Sequence, residues 1–337
     1  RSYEGEKMNE AVISAKELQI LLNQVDEISV MYPLYKHFDL FTAKQEVNGY
    51  RLKILQGIAD FEEQQSHFSS AEMPSYEDFM QCLISAGIIN YKNYDAFKEK
   101  LKAYMNLTKT ILFSPDTNVL YHRFLSNSGT DPRKVLLVDT VRDEIESMLN
   151  FKYSPQQIAE LKKEAKYQNF LLDEFVNRRM KKSRIACIAV EEYRELRKFA
   201  VEIEGIEHST SDKERNDIII VKTLRRFEKE RNLMPSLLTA DRQMADLCNA
   251  EGLEHFLFNF PHAIEANFCS HHSMQRLIYN LAMIFGVIRL NSVVIFGEFK
   301  GKNSIDELKL RFLDDELWKS FDKNLRICRR LMSLGIE

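Results

Sequence analysis

The sequence predicts an α/β protein: a parallel sheet sandwiched by helices, with an N-terminal all-helical domain before it and a small C-terminal α+β module after it. Three observations predict this. From residue 109 short apolar runs alternate with amphipathic stretches, the pattern of strand–helix units. Only 11 Gly and 7 Pro in 337 residues leave little room for long irregular loops, so the chain should be rich in helix. A 45% hydrophobic, 29% charged composition supplies enough apolar side chain to fill a core. At this length two or three domains are expected, and changes of pattern place them at 1–108, 109–262 and 263–337.

Residues 1–108 read as helical throughout. The run AKELQILLNQVDEI puts Leu18, Leu21, Leu22, Val25 and Ile28 on one helical face. Ser75 and Asp78 form a capping box before FMQCLISAG, and Gly87 ends that helix. NYKNYDAFKEKLKAYMNL is a further amphipathic helix. Nothing in this region has catalytic spacing, so it is expected to serve packing, self-association or substrate contact.

The parallel sheet then begins. TILFS (110–114) is its first strand, and KVLLVD (134–139) is the second, after a Ser-Gly-Thr-Asp-Pro turn. A helix over 140–149 should bury Val141, Ile145, Met148 and Leu149. Residues 153–204 are long, charged and helical, an excursion from the sheet. A polar loop, HSTSDKER, precedes a helix over 216–232 with Ile218, Val221, Leu224 and Phe227 inward. PSLLT (235–239) is a strand, 241–251 a helix capped by Gly252, and EHFLFNF (254–260) the last strand. Beyond Pro261, MQRLIYNLAMIFGVI reads as a helix, SVVIFGEF as a strand and the stretch from Ser304 as two charged helices.

Charge and cysteine content narrow the function. A net charge of −3 gives no global basic field, so nucleic-acid binding would need a local patch. Cys82, Cys187, Cys248, Cys269 and Cys328 are odd in number and lack paired spacing, which suits reduced thiols in the cytoplasm. No apolar run is long enough to cross a bilayer, and RSYEGEKMNE has no apolar signal region. A cytoplasmic protein with no membrane partner is expected.

Four acids then draw attention. Asp116 follows the first strand, Glu144 lies one turn into the helix after the second, and Asp241 follows PSLLT. Asp217 opens the helix after the polar loop. Taken alone, Asp116 could be a plain helix cap, a job Asp does well. Parallel strands, however, bring their C-terminal ends to one edge, where open α/β sheets bind ligands. Carboxylates gathered there would repel by several kcal/mol at about 4 Å. Divalent cations are the natural compensation, and an all-oxygen donor set specifies Mg²⁺ or Mn²⁺ rather than zinc.

DTNVL after a strand, DEIE on the next helix, ND before an apolar helix and LLTADRQMA after a later strand together resemble the motif set of the PIN-domain ribonucleases. The resemblance covers about residues 109–260. It implies a PIN-like (Rossmannoid) sheet and an endoribonuclease that hydrolyses RNA phosphodiester bonds with bound Mg²⁺ or Mn²⁺. Asp116, Glu144, Asp217 and Asp241 would be the catalytic, metal-binding acids, with Asp143 and Glu146 as the neighbouring alternatives to Glu144. Asn118 and Thr239 would orient those acids, while Asp246, off the face of Asp241, reads as a solvated acid. The same resemblance admits a non-catalytic PIN scaffold that binds RNA, or a structure-specific DNA nuclease related to flap endonucleases.

RNA is the expected partner, single-stranded DNA the second candidate, with any homo-oligomer formed through the helical flanks. Phosphate contacts would come from Lys213, Arg215, Lys222 and Arg242, which lie close in sequence to Asp217 or Asp241. Tyr121 and His122 could stack on a base. Two other hints fail on spacing. GEFKGKNS (297–304) has a phosphate-loop flavour with the wrong glycine spacing. Cys269, His271 and His272 lack the second ligand pair that a zinc site needs.

Overall fold

The computed structural model describes residues 9–336 and shows a mixed α/β protein. Its strands, in chain order, are β1 (Glu10–Ser14), β2 (Glu27–Met31), β3 (Asp39–Glu46), β4 (Gly49–Ile54), β5 (Thr110–Pro115), β6 (Leu136–Val138) and β7 (Val201–Ile203). They continue as β8 (Leu233–Thr239), β9 (His255–Leu257), β10 (Phe268–Cys269), β11 (Val287–Leu290), β12 (Val293–Phe296) and β13 (Glu307–Phe312). The chain forms two compact units. The first takes the described residues up to Cys82, Lys152–Arg184 and those from Glu265 onward; the second takes Leu83–Phe151 and Ile185–Ile264.

The first unit is built on an eight-stranded sheet in the order β1-β13-β12-β11-β2-β3-β4-β10, antiparallel at every pairing. This corrects the expectation of an all-helical N-terminal domain. The helix read over 15–28 is only Leu18–Leu22, and the next residues form β2, where Ile28 and Val30 are buried between more exposed neighbours. That is a period of two, whereas the three-residue spacing of Val25 and Ile28 fits a helical stripe and in a strand would put them on opposite faces. Helix does appear later in the region, at Ile58–Gln65, Tyr76–Ser85 and Tyr94–Tyr104. The capping box is present: Asp78 Oδ2 accepts from Ser75 N at 2.8 Å, and Ser75 Oγ accepts from Asp78 N at 3.1 Å.

The C-terminal segment likewise joins this sheet rather than standing as a small module. Its apolar helix is His271–Phe285, stopping at Gly286 (φ +85°), and VIRL continues as β11. Of the two closing helices expected from Ser304, the first is strand β13 and only the second is a helix, Asp315–Ser333. His271–Phe285 packs against β4, β11 and β12. At Gly297 a Cβ would stand 2.1 Å from the carbonyl oxygen of Ala282, so only glycine allows the strand end to meet the helix backbone. Lys302 is buried, donating to the Gly297 carbonyl at 2.6 Å, which explains the GEFKGKNS stretch as packing. Gly297→Ala is expected to destabilise this unit by about 3 kcal/mol or more, read as a drop in the denaturant midpoint; an unchanged midpoint would contradict this account of the contact.

The second unit carries the parallel strands. β5, β8 and β9 pair in parallel in the order β5-β8-β9, and β6 pairs in parallel with β7. A parallel bridge from Phe113 to Val135 links the two sets. The strands expected at 110–114, 134–139, 235–239 and 254–260 are all present, the second and the last as the shorter β6 and β9. β7 replaces the end of the helical excursion: the helix Lys181–Arg197 stops, and Val201 to Ile203 pair with β6.

Apolar side chains from β5, β6 and β8 fill the core of this unit with Val141 and Ile145 of the helix Asp139–Ser147 and with Ile220, Val221 and Leu224 of the helix Lys213–Glu230. The inward face of the latter is shifted by a residue from expectation, since Ile218 is 39% exposed. The shift matters, because Asp217 then shares the buried face with Ile220, Val221 and Leu224. Among the described residues, no helix is long and apolar enough to cross a membrane.

Candidate functional site

All four candidate acids lie in the second unit, and three of them follow the C-terminal ends of its strands. β5 ends at Pro115, and Asp116 caps the helix Thr117–Tyr121, its Oδ1 accepting from Thr117 N at 2.7 Å. β8 ends at Thr239, and Asp241 caps the helix Arg242–Glu251, its Oδ1 accepting from Gln243 N at 2.9 Å. Glu144 sits on the helix that follows β6. The cap reading and the site reading of Asp116 therefore hold together, since one carboxylate oxygen serves the helix and leaves the other free for tertiary partners.

Asp116 is buried, and its Oδ2 accepts from Thr239 Oγ1 at 2.8 Å and from Asn118 Nδ2 at 3.2 Å. Burial pushes its pKa up, against the pull of those hydrogen bonds and of Lys213. Glu144 Oε2 accepts from Thr117 Oγ1 at 2.9 Å. Burial also raises Glu144, with the Asp116 charge adding to it. Thr117 thus ties Asp116, through its backbone N–H, to Glu144, through its hydroxyl. Sequence reasoning passed over it, although its place at the first helical position beside the acid was visible in DTN.

Asp217 is raised as well. Its carboxyl is pushed up to about 7 by burial, with Asp116, Glu144 and Asp241 adding to the rise and Lys213 opposing it. Among the described residues no hydrogen-bond donor reaches it. Asp241 differs. Burial raises its pKa, but the Lys213 ammonium at 3.0 Å from Oδ2 and the backbone N–H groups at the helix start outweigh this and leave it below the usual value.

Thr239 joins the two strand-end acids: its hydroxyl donates to Asp116 and accepts from Asp241 N at 2.9 Å. The side chain is fully buried. Thr239→Val keeps the shape and removes both bonds, leaving the Asp241 N–H without its partner. The expected cost is about 1–3 kcal/mol, measured by denaturant unfolding; a change below about 0.3 kcal/mol would show that the hydroxyl organises nothing.

The structure also separates the alternatives around Glu144. Asp143 turns to Arg142 at 3.1 Å and accepts from Ser209 Oγ at 3.0 Å, while Glu146 is exposed. Asp246 is exposed as well. Of the expected phosphate contacts, Lys213 stands among the acids. Arg215 donates to Glu207 at 2.9 Å, and it and Lys222 both hold that carboxyl low, so these two cations serve Glu207. Arg242 is exposed at the start of its helix. His122 is buried, with Nδ1 at 2.7 Å from Tyr91 Oη, and burial holds its pKa down to about 3. It is a neutral core side chain, which removes it as a stacking partner. Tyr121 is half-buried and its phenol feels the charges of Glu144 and Asp116.

The donor set suits a hard divalent cation: carboxylate oxygens, with no Cys or His among them. As the side chains stand, Glu144 is held by Thr117 and Asp241 by Lys213. Among the described residues no group of three or more His, Cys, Asp or Glu stands so that it could hold a metal ion.

No family model matches the chain, and no curated protein matches it. Among solved structures, it is similar to a domain of a functionally unknown protein from Methanocaldococcus jannaschii DSM 2661, at 17% identity and a TM-score of 0.28, over 48% of this chain and 96% of that one.

Proposed function

We propose that the chain is a PIN-type, metal-dependent endoribonuclease, its parallel unit carrying the reaction. The observation that supports this most is Asp217, a carboxyl turned to the buried face of its helix, given no donor, and raised to about 7 by burial and three neighbouring acids. An arrangement so unfavourable to an empty fold is characteristic of sites that bind or react. When bound, Mg²⁺ or Mn²⁺ supplies Lewis-acid polarisation of the phosphodiester and activates water at neutral pH.

The protein's own part is to hold and orient. Asp116, Glu144 and Asp217 offer the oxygens, Thr117 and Thr239 fix the directions in which Glu144 and Asp116 point, and Asp241 anchors Lys213. Arg242, exposed beside Asp241, meets the phosphate backbone without reading sequence.

A second reading, a scaffold that binds RNA without cutting it, is favoured by one observation: Lys213 already neutralises Asp241. Incubating the chain with labelled RNA and with DNA of the same sequence, in Mn²⁺ and in EDTA, separates the readings. The expected result is Mn²⁺-dependent cutting of RNA. Retention of intact RNA would favour the scaffold, and preferential cutting of DNA would favour a structure-specific DNA nuclease.

A further inference from the structure

The four acids follow the C-terminal ends of the parallel strands; the N-terminal ends of β5 and β6 border a cleft. It has a volume of about 490 Å³, and all its lining residues lie between Leu101 and Lys134, within the second unit. Sites that hold small organic ligands have volumes in this range and are mostly apolar, with a few polar groups placed to fix the ligand. Here the apolar part comes from the buried Ile111 and Phe113 of β5 and from Leu101 and Tyr104 of the helix Tyr94–Tyr104. Tyr104 gives its hydroxyl to Glu254 at 2.8 Å, so its ring is what remains for the cleft. Met105 and Leu107, large apolar side chains left exposed on the same lining, extend that surface outward.

The rim carries unbalanced positive charge. Lys109 and Lys134 are both exposed lining residues, and among the described residues neither side chain has a hydrogen bond or an ion pair. The acid on the lining, Asp131, is already taken: Arg133 Nε and Nη2 donate to its two carboxylate oxygens at 3.0 and 2.9 Å. Those bonds hold its pKa below the usual value, with the Lys134 charge a lesser contribution. An apolar hollow below two unpaired ammonium groups asks for a ligand with one anionic end and a body that needs no hydrogen bonds.

We infer that this cleft binds a small alkyl carboxylate, its hydrocarbon body on Leu101, Ile111 and Phe113 and its carboxylate against Lys109 and Lys134. Charge-assisted hydrogen bonds from ammonium groups favour the anion, and the same two charges repel a cation of equal shape. A nucleobase would bury polar edges against these apolar side chains without partners, which is costly. The site lies apart from the proposed nuclease centre and does not depend on it.

Calorimetric titration of the full chain with decanoate tests this. Decyltrimethylammonium, with the same tail and the opposite charge, and adenosine monophosphate, an anion on a polar body, are titrated beside it. The expected result is saturable binding of decanoate alone, one per chain, weakening as salt rises. Replacing both rim lysines, Lys109→Met with Lys134→Met, should weaken decanoate roughly tenfold; both positions are exposed, so the fold is kept. Thr110→Trp, at an exposed position of the lining, keeps the lysines, fills the cleft and should abolish binding. No saturable binding of decanoate would overturn the inference. So would an affinity left unchanged by the lysine replacements or by Thr110→Trp. Tighter binding of the alkylammonium or of the nucleotide than of decanoate would overturn it as well.

Discussion

Replacing Asp116 by Asn is expected to lower Mn²⁺-dependent RNA cleavage by about a thousandfold or more while the chain stays folded. The two halves of that expectation come from different atoms. Folding asks Asp116 for acceptors, and Asn supplies most of them. Its Oδ1 can take the Thr117 N–H, since Asn caps helices about as well as Asp. Its Nδ2 then faces Thr239 and Asn118. The Thr239 hydroxyl has a second lone pair and can accept, and the Asn118 amide can turn its oxygen inward. Removing a charge that burial already disfavours offsets part of any residual mismatch, so the net change should lie within about 1 kcal/mol. Catalysis asks for an anionic oxygen, which Asn lacks. Cleavage rates alongside a denaturant midpoint check both halves, and a variant that cuts RNA at near wild-type rate would remove Asp116 from the reaction.

Asp217→Asn should give the opposite of an ordinary core lesion: loss of cleavage together with a gain in stability when no divalent cation is present. The carboxyl moves from an ordinary 3.8 to about 7 on folding. Between those values the folded chain keeps a proton that the unfolded chain has released. Stability therefore falls as pH rises through that window, and the loss is complete above about 7. Allowing for solvent screening, the penalty is about 1–2 kcal/mol, a few degrees in Tm. Asn does not titrate and escapes it. Melting curves in EDTA from pH 5 to 8 should show the wild type losing ground to Asp217→Asn as pH rises, with Mn²⁺ restoring the wild type by mass action. Parallel curves across that range would mean that the acid is not strained.

Much of the second unit was legible because its signals are local. Asp116 and Asp241 cap helices that start within two residues of them, and their strands are single apolar runs, so strand, acid and helix follow one another in the sequence. Asp217 was found by its place at a helix start, though its inward direction depended on a helical face read one residue off. The first unit was harder to read: its local β2–β3–β4 pairings sit among strands whose other partners are distant. β1 pairs with β13 and β2 with β11, partners nearly a whole chain apart, and five-residue strands hold too few alternations to outvote a helical stripe. Thr117 and Lys213 mark the same boundary inside the site. Their residue types were visible, but the Thr117 hydroxyl meets Glu144 and the Lys213 amine meets Asp241 only once separate helices are brought together.

On the proposed assignment, Asp116, Glu144 and Asp217 share a divalent cation. A crystal of the full chain soaked in Mn²⁺ and measured for anomalous scattering tests it most directly. A peak is expected among those three carboxylates, with Lys213 still beside Asp241. Ordered carboxylates with no peak between them at saturating Mn²⁺, or a peak elsewhere on the chain, would contradict it.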